Sequence, residues 1–321
     1  MENILNITNG DCAVKVMQQA GIAGVFLPWQ DVLHNGPVPA KLILTELSRI
    51  RAQFLADCGW GKFTEIHQDF IDRDSQLKAF NRYDKVILWF EHDLYDQLQI
   101  LQILDWLNEN PATNTELSII CTDQYLGMQT PDELLALQQF EQAITKAQLQ
   151  LASRAWAAFR ANTPEKWAAL LKSDTSTLPF LQGAITRLLE EFPDTFSGLS
   201  RTAQKALEII SLADKRPEEV FQLYQETEQR KFLGDASFWL ILNEFLQLSP
   251  PLITQSGGST LSIPSAAAQS LSITATGKDV LAGKKNWLEI SAPDHWLGGV
   301  HLTADNLWLW NSATSKLIKS S

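Results

Sequence analysis

The stretch KVILWFEHDLYDQLQILQILDWLN (Lys85–Asn108) constrains the fold more than any other part of the chain. It begins with an unbroken apolar run, Val86–Phe90, followed by Glu91, His92 and Asp93 and then by apolar residues at helical spacing. A short run that is apolar on both sides is typical of a strand inside a parallel sheet covered by helices. Because ligands bind beyond the carboxyl ends of such strands, the polar residues after this run mark a candidate site.

The same alternation of strand and helix extends through the first 130 residues. Strands are predicted at Asn3–Thr8, Gly24–Trp29, Asp84–Phe90 and Leu117–Cys121. Helices are predicted at Cys12–Ala20, with Asp11 as N-cap, and at Leu42–Cys58, 63–80 and Leu94–Asn108. Strands that alternate with helices form right-handed βαβ units, so we expect an α/β domain at 1–130 with a parallel, Rossmann-like sheet and flanking helices.

Beyond this domain the pattern changes twice. Residues 131–195 contain four predicted helices and no strand, which indicates a helical connector. From 196 to 321, three helices are followed by a hairpin at Pro250–Thr254 and Ser270–Thr274 with a Ser/Gly-rich tip at Gln255–Ser259. This is the order of a winged helix, and LSITATGKDVLAG (Leu271–Gly283) is similar to the wing-to-helix passage of winged-helix regulators. A Trp-rich antiparallel hairpin is expected at the carboxyl terminus.

Composition excludes several classes of partner. The net charge is −11, so the basic surplus that phosphate-backbone binding relies on is missing and nucleic acid is disfavoured. No apolar run approaches the roughly 18 residues of a membrane span, and the first residues do not resemble a secretory signal. Three widely separated cysteines fit a reducing compartment, so we expect a cytoplasmic protein.

Polar residues follow each of the four predicted strands. They are Asn9 and Asp11; Asp31 and His34; Glu91, His92, Asp93 and Asp96; and Asp123 and Gln124. Adjacent parallel strands lie about 4.8 Å apart, so these ends can meet in one crevice. Helix capping alone would explain Asp11 and Asp93, at about 1 kcal/mol each. Capping does not require His34, Glu91, His92 or Asp31, and the whole set therefore predicts a ligand site.

The residue types in this crevice suggest proton transfer or ion binding. Crowded carboxylates raise one another's pKa, so Glu91 or Asp93 could act as general base, with His92 or His34 as acid or ligand. The same oxygens could hold a divalent cation such as Mg²⁺, and the imidazoles could add ligands for a transition metal. The ligand-binding candidates are Asn9, Asp11, Asp31 and Asp96. The alternative for Glu91 is a structural salt bridge with Arg49, Arg51 or Arg73.

Several common chemistries lack their motifs. There is no GxGxxG and no GxxxxGK[ST], so neither NAD nor a P-loop nucleotide is expected, and HExxH, GxSxG and CxxC are also missing. Trp29 and Trp89 could stack on a flat ligand, but core packing is the favoured interpretation. Residues 35–39, NGPVP, are interpreted as a rigid turn.

Motifs along nearly the whole chain resemble a bacterial family labelled only as domain of unknown function 1835. They are ITNGD (Ile7–Asp11), LPWQDVLHNGPVP (Leu27–Pro39), LWFEHDLYDQLQ (Leu88–Gln99), RAWAAFR (Arg154–Arg160), LPFL (Leu178–Leu181), GLSRT (Gly198–Thr202), GDASFW (Gly234–Trp239) and WLGGVHL (Trp296–Leu302). The resemblance implies one composite architecture and no established activity. It also implies that the last motif lies with the amino-terminal ones, which adds His301 to the ligand-binding candidates.

Two functions remain open on the sequence. The first is binding of a small polar ligand at the strand ends, with a hydrolase or transferase reaction at the same site. The second is a non-catalytic regulator or adaptor that uses the winged-helix-like domain. Its third helix, DASFWLILNEFLQL (Asp235–Leu248), has no Lys or Arg, so protein contact is favoured over DNA reading. The sequence does not decide whether the protein is an enzyme.

Overall fold

The computed structural model describes residues 3–256, 261 and 269–320. The chain divides into two compact units. One comprises Met1–Ile185 together with Gly298–Val300, and the other comprises Thr186–Leu297 together with His301–Ser321. Within the described ranges, no helix combines the length and apolar character that crossing a bilayer requires.

The first unit is built on a mostly parallel five-stranded sheet. Its strands are Ile4–Thr8 (β1), Val25–Pro28 (β2), Gly36–Pro37 (β3, outside this sheet), Lys85–Phe90 (β4), Glu116–Cys121 (β5) and Gln142–Ala143 (β6). The strand order is β2-β1-β4-β5-β6, with parallel pairs except for the antiparallel β5–β6 pair at one edge. The predicted parallel α/β sheet with flanking helices is confirmed. The edge strand β6 was not predicted, because a two-residue strand depends on its partner and has no sequence period of its own.

Helices connect and cover these strands. They are Asp11–Gln19 (α1), Leu44–Asp57 (α2), Phe63–Lys78 (α3), Leu94–Glu109 (α4), Pro131–Ala136 (α5), Lys146–Phe159 (α6), Glu165–Ala169 (α7) and Leu181–Leu189 (α8), the last of which crosses the unit boundary. Helix α1 begins at Asp11 with Gly10 as its N-cap, so the prediction that Asp11 is the N-cap was wrong. A glycine in extended conformation can hold this position, although it offers no side-chain acceptor.

The central strand β4 is the most buried part of the sheet. Residues Val86–Phe90 are all buried, as expected for a strand with neighbours on both sides and helices on both faces. Both tryptophans considered as ligand platforms are fully buried. The Trp89 indole donates to Asn6 Oδ1 (2.9 Å), and the Trp29 indole donates to Gln102 Oε1 (2.9 Å). Their role is core packing, with each ring nitrogen satisfied inside the protein.

Two glycine segments bring backbone close to the first unit's core. Gly36 has φ of +78°, and a Cβ there would lie 2.6 Å from the Phe54 ring, so this turn requires glycine. The Gly298 carbonyl accepts from the Val38 N–H (2.7 Å), and the Gly299 N–H donates to the Phe159 carbonyl (2.9 Å). The glycine pair of the WLGGVHL motif therefore lies in the first unit, beside the NGPVP turn.

The second unit begins with three helices and a hairpin. Its helices are Arg201–Leu212 (α9), Pro217–Thr227 (α10), Asp235–Gln247 (α11), Ala275–Leu281 (α12) and Trp287–Ile290 (α13). Its strands are Ile253–Gln255 (β7), Leu271–Ile273 (β8), His295–Gly298 (β9), Val300–Leu302 (β10), Trp308–Asn311 (β11) and Lys316–Lys319 (β12), of which β9 and β10 include the residues assigned to the first unit. The β7–β8 and β11–β12 pairs are antiparallel. Residues 257–259 of the predicted tip lie outside the described residues.

Candidate functional site

Three acidic side chains meet where β4 passes into α4. They are Glu91, Asp93 and Asp96, with 6%, 3% and 1% of their surface exposed. One carboxylate oxygen from each lies within 4.8 Å of the other two. These residues, hereafter the carboxylate cluster, stand at the carboxyl edge of the sheet, where the sequence predicted a site.

Local hydrogen bonds fix two members of the cluster. Asp93 is the N-cap of α4, and its Oδ1 accepts from the Asp96 N–H (3.2 Å). Asp96 lies in the first turn and accepts from the Glu91 N–H through Oδ1 (2.6 Å). The dipole of α4 favours both acids at this end. Capping therefore explains Asp93 and assists Asp96, but it does not explain why the Glu91 carboxylate is buried beside them.

Asn9, at the end of β1, joins this strand to the cluster. Its amide Nδ2 donates to Glu91 Oε1 (2.9 Å) and to Asp96 Oδ2 (3.1 Å), and the Leu126 N–H also donates to Glu91 Oε1 (2.8 Å). One amide thus orients two carboxylates that come from different elements. The meeting of β1 and β4 residues follows from the parallel pairing of these strands.

No lysine or arginine of the described chain forms a salt bridge with the cluster. The alternative of a salt bridge between Glu91 and Arg49, Arg51 or Arg73 was wrong, since two of these arginines pair with other acids and the third forms no salt bridge in the described chain. Arg51 bonds to Asp31 at 2.9 Å, and Arg73 bonds to Asp74 at 2.9 Å. Arg49 is exposed on α2. The N–H groups of Asn9, Glu91, Asp96 and Leu126 donate to the carboxylates of the cluster.

Burial raises the pKa of every member of the cluster. Desolvation, followed by the charge of Glu91, raises the pKa of Asp93 to about 8. Desolvation also raises the pKa of Glu91, and it raises the pKa of Asp96 well above its ordinary value, with the charges of Asp93 and Glu91 adding to the effect. A carboxyl group with a pKa of about 8 keeps its proton at neutral pH, so the cluster holds a proton on Asp93 under these conditions.

Asp31 and His34 lie in the loop after β2. Asp31 is fully buried in its ion pair with Arg51, which also donates to the carbonyl oxygens of Asn35 (2.6 Å) and Val32 (3.0 Å). This pair neutralises Asp31, so the residue does not add free charge to the carboxylate cluster. His34 is buried, with its ring centre 6.0 Å from that of Tyr95.

The remaining predicted residues are His92, Asp11, Asp123, Gln124 and His301. His92 is buried, with its ring 5.2 Å from Tyr125 and 5.8 Å from Phe180. Asp11, Asp123 and Gln124 are exposed. His301 belongs to the second unit, where its Nε2 lies 2.7 Å from Asp294 Oδ1 and its ring stacks on Trp296 at 4.5 Å. The structure thus brings together Asn9, Glu91, Asp93 and Asp96.

Two residues near the cluster were not predicted from sequence. The Tyr95 hydroxyl donates to the Asn9 carbonyl (3.3 Å), and burial followed by the charge of Asp96 raises the pKa of this phenol. The Gln97 amide donates to the Glu91 carbonyl (2.8 Å). Both lie in the first turns of α4, where the sequence prediction names only acids and histidines. Their positions next to Asp96 in the sequence could have indicated that they lie near the cluster.

Comparisons with known proteins add no relative, since neither the protein-family models nor the curated proteins contain a match to this chain.

Proposed function

We propose that the first unit binds a small polar ligand at the carboxyl edge of its sheet, and that a divalent cation is the ligand held by the carboxylate cluster. The observation that carries this proposal is the burial of three adjacent acids that form no salt bridge with a lysine or arginine of the described chain. An uncompensated buried charge costs several kcal/mol, so the cluster needs protons or a cation. Oxygen ligands of this kind suit Mg²⁺, Mn²⁺ or Ca²⁺.

In this proposal each polar residue has a defined role. Glu91, Asp93 and Asp96 provide the ligand oxygens, and Asn9 orients two of these carboxylates through its amide. For a hydrolase or transferase reaction at the same site, Glu91 or Asp93 is the general base, and His92 or His34 is the acid or a further ligand. We retain membership of the domain of unknown function 1835 family and a cytoplasmic location as parts of this proposal.

Calorimetric titration with MnCl₂ tests the proposal. We expect wild-type protein to bind Mn²⁺, and Asp96→Asn to weaken binding by about tenfold or more, because a carboxylate ligand becomes a neutral amide. Asp123→Asn is the matched control, since it removes an exposed carboxylate that follows the neighbouring strand β5. Equal Mn²⁺ affinity in wild type and Asp96→Asn, or no binding by either, would contradict the proposal.

The second candidate function is protein contact through a winged helix. After α9, the Lys215 N–H donates to the Leu271 carbonyl (3.2 Å), and the Leu271 N–H donates back to Lys215 (2.8 Å). This backbone bridge pairs the segment after α9 with strand β8 of the β7–β8 hairpin. The order of helices, bridging segment and hairpin agrees with that of a winged helix. In addition, the Asn243 side chain of α11 exchanges two hydrogen bonds with the backbone of Leu261. The helix that would read DNA is therefore engaged by its own chain.

We expect this unit to show no salt-dependent affinity for DNA. The helix α11 has no Lys or Arg, and base reading and phosphate contact need such residues. Fluorescence anisotropy with a labelled duplex at about 50 mM and about 200 mM salt measures this directly. Tight binding at low salt that falls steeply at high salt would favour a DNA-binding regulator instead.

A further inference from the structure

A cavity of about 620 Å³ lies in the first unit, away from the carboxylate cluster. It is lined by the 40–45 segment at the start of α2, by the carboxyl-terminal half of α4 and by α6. At a rise of about 1.5 Å per residue, Trp106 lies about 15 Å along α4 from Asp96. The volume falls in the range of small-molecule sites, roughly 300–1,000 Å³.

Two indole rings form part of the cavity wall. Trp106 is half-buried and packs edge-on against Phe80, with ring centres 5.6 Å apart and an interplanar angle of 81°. Trp156 is 3% exposed and lies on the facing helix α6. Packing fixes both rings. The half-buried Trp106 presents a rigid apolar surface to a flat ligand, and Trp156 supports the wall.

Arg160 brings a positive charge to the same cavity. Its Nε and Nη2 donate to the Pro39 carbonyl (3.0 and 2.8 Å), and Nη2 also donates to the Leu42 carbonyl (2.9 Å). Within the described ranges its Nη1 makes no hydrogen bond and the guanidinium forms no salt bridge. The acids Asp105 and Glu109 also line the cavity, and their charges act on Arg160 without a salt bridge to it in the described chain. Two N–H donors of a guanidinium that is held in place are thus available to a ligand.

The start of α2 and two lysines also line the cavity. Its N-cap is Ile43, which has no side-chain acceptor for the first-turn N–H groups, and Leu44 and Thr45 line the cavity. The lysines Lys41 and Lys78 are also on the wall, and both are exposed. Glu46 in the first turn accepts from the Ile43 N–H (3.1 Å) and offsets part of the helix dipole, so Arg160 and the two lysines are the main groups that favour an anionic ligand.

We propose that this cavity binds a flat aromatic ligand that carries an anionic group, either a carboxylate or a phosphate. The aromatic part lies against the half-buried Trp106, with Trp156 behind it in the wall, and the anionic group accepts from Arg160 Nη1. This site is separate from the carboxylate cluster, and the proposal does not depend on the function assigned to that cluster.

Calorimetry on the full chain tests this inference with two anionic probes and their neutral counterparts. Indole-3-acetate and adenosine monophosphate are the probes for a carboxylate and a phosphate, and indole and adenosine are the neutral controls. We expect at least one anionic probe to bind about tenfold more tightly than its counterpart, because a charge-assisted hydrogen bond is lost in the neutral molecule. Arg160→Gln and Trp106→Ala should each weaken binding of that probe by about tenfold.

Two matched lysine variants test the inference even if the Arg160→Gln protein does not fold. Lys78→Gln removes an exposed cation at the cavity, whereas Lys166→Gln removes an exposed cation that does not line it. We expect only the former to weaken binding, by a few-fold, and Asp96→Asn to leave it unchanged. The inference is overturned if neither anion binds, if the neutral molecules bind equally well, or if the Lys78 and Lys166 variants behave alike.

Discussion

Arg51→Met is expected to lower the free energy of unfolding by about 3–5 kcal/mol, the largest effect of any single substitution considered for this chain. Arg51 is fully buried and bonds to the equally buried Asp31 at 2.9 Å. Methionine fills much of the same volume but leaves the Asp31 carboxylate without its cation. It also removes the donors to the carbonyl groups of Val32 and Asn35. Urea unfolding followed by circular dichroism measures the loss.

A matched control for this variant lies on the same helix. Arg49→Met removes an exposed arginine from α2 and should change stability by less than about 0.5 kcal/mol. Adding Asp31→Asn to Arg51→Met should recover part of the loss, because the unpaired buried charge is then absent. Similar stabilities for the Arg49 and Arg51 variants would show that the buried ion pair does not hold the loop after β2.

The second large effect is a pH dependence that originates in the carboxylate cluster. The folded-state pKa of Asp93 is raised to about 8 from an ordinary value of 3.8, so the folded protein binds more protons than the unfolded chain between these values. The protonated Asp93 carboxyl group therefore stabilises the fold fully below pH about 4. This stabilisation is lost as the pH rises towards 8, by up to about 1.4 kcal/mol per pH unit. The raised pKa values of Glu91 and Asp96 act in the same direction.

Asp93→Asn isolates this effect. Asparagine caps a helix about as well as aspartate, and its neutral amide cannot ionise as the pH rises. We expect the variant to be more stable than wild type by about 1–3 kcal/mol at pH 8 and close to it at about pH 4. Unfolding at both pH values, with Asp123→Asn as the exposed control, checks the sign. Parallel pH profiles for wild type and Asp93→Asn would show that Asp93 ionises normally in the folded state.

The sheet could be predicted because its signals are local. An apolar run such as Val86–Phe90 and the helical spacing after it define β4 and α4 without knowledge of any partner. Parallel order then follows from the alternation of elements. The edge strand β6 and the return of Gly298–Val300 to the first unit depend on contacts between distant parts of the chain, and short segments carry no periodicity that would reveal them.

The site could be predicted only where its residues share one strand end. Glu91, Asp93 and Asp96 lie within six positions, so their meeting follows from the β4–α4 turn alone. Asn9 joins them because β1 pairs in parallel with β4. Asp11 and Asp123 also follow strands, but the chain turns them to the surface. The pairing of Asp31 with Arg51 requires the tertiary position of α2, which no local pattern contains.

The number of protons released when Mn²⁺ binds tests the central claim most directly. Calorimetry in two buffers with different ionisation enthalpies gives this number for wild type and for Asp96→Asn. If the buried acids hold the cation, binding near neutral pH must displace the proton that the raised pKa of Asp93 keeps on this carboxyl group, and we expect about one proton or more per ion. Mn²⁺ binding without proton release, or the same release in Asp96→Asn, would place the ion elsewhere and contradict the account.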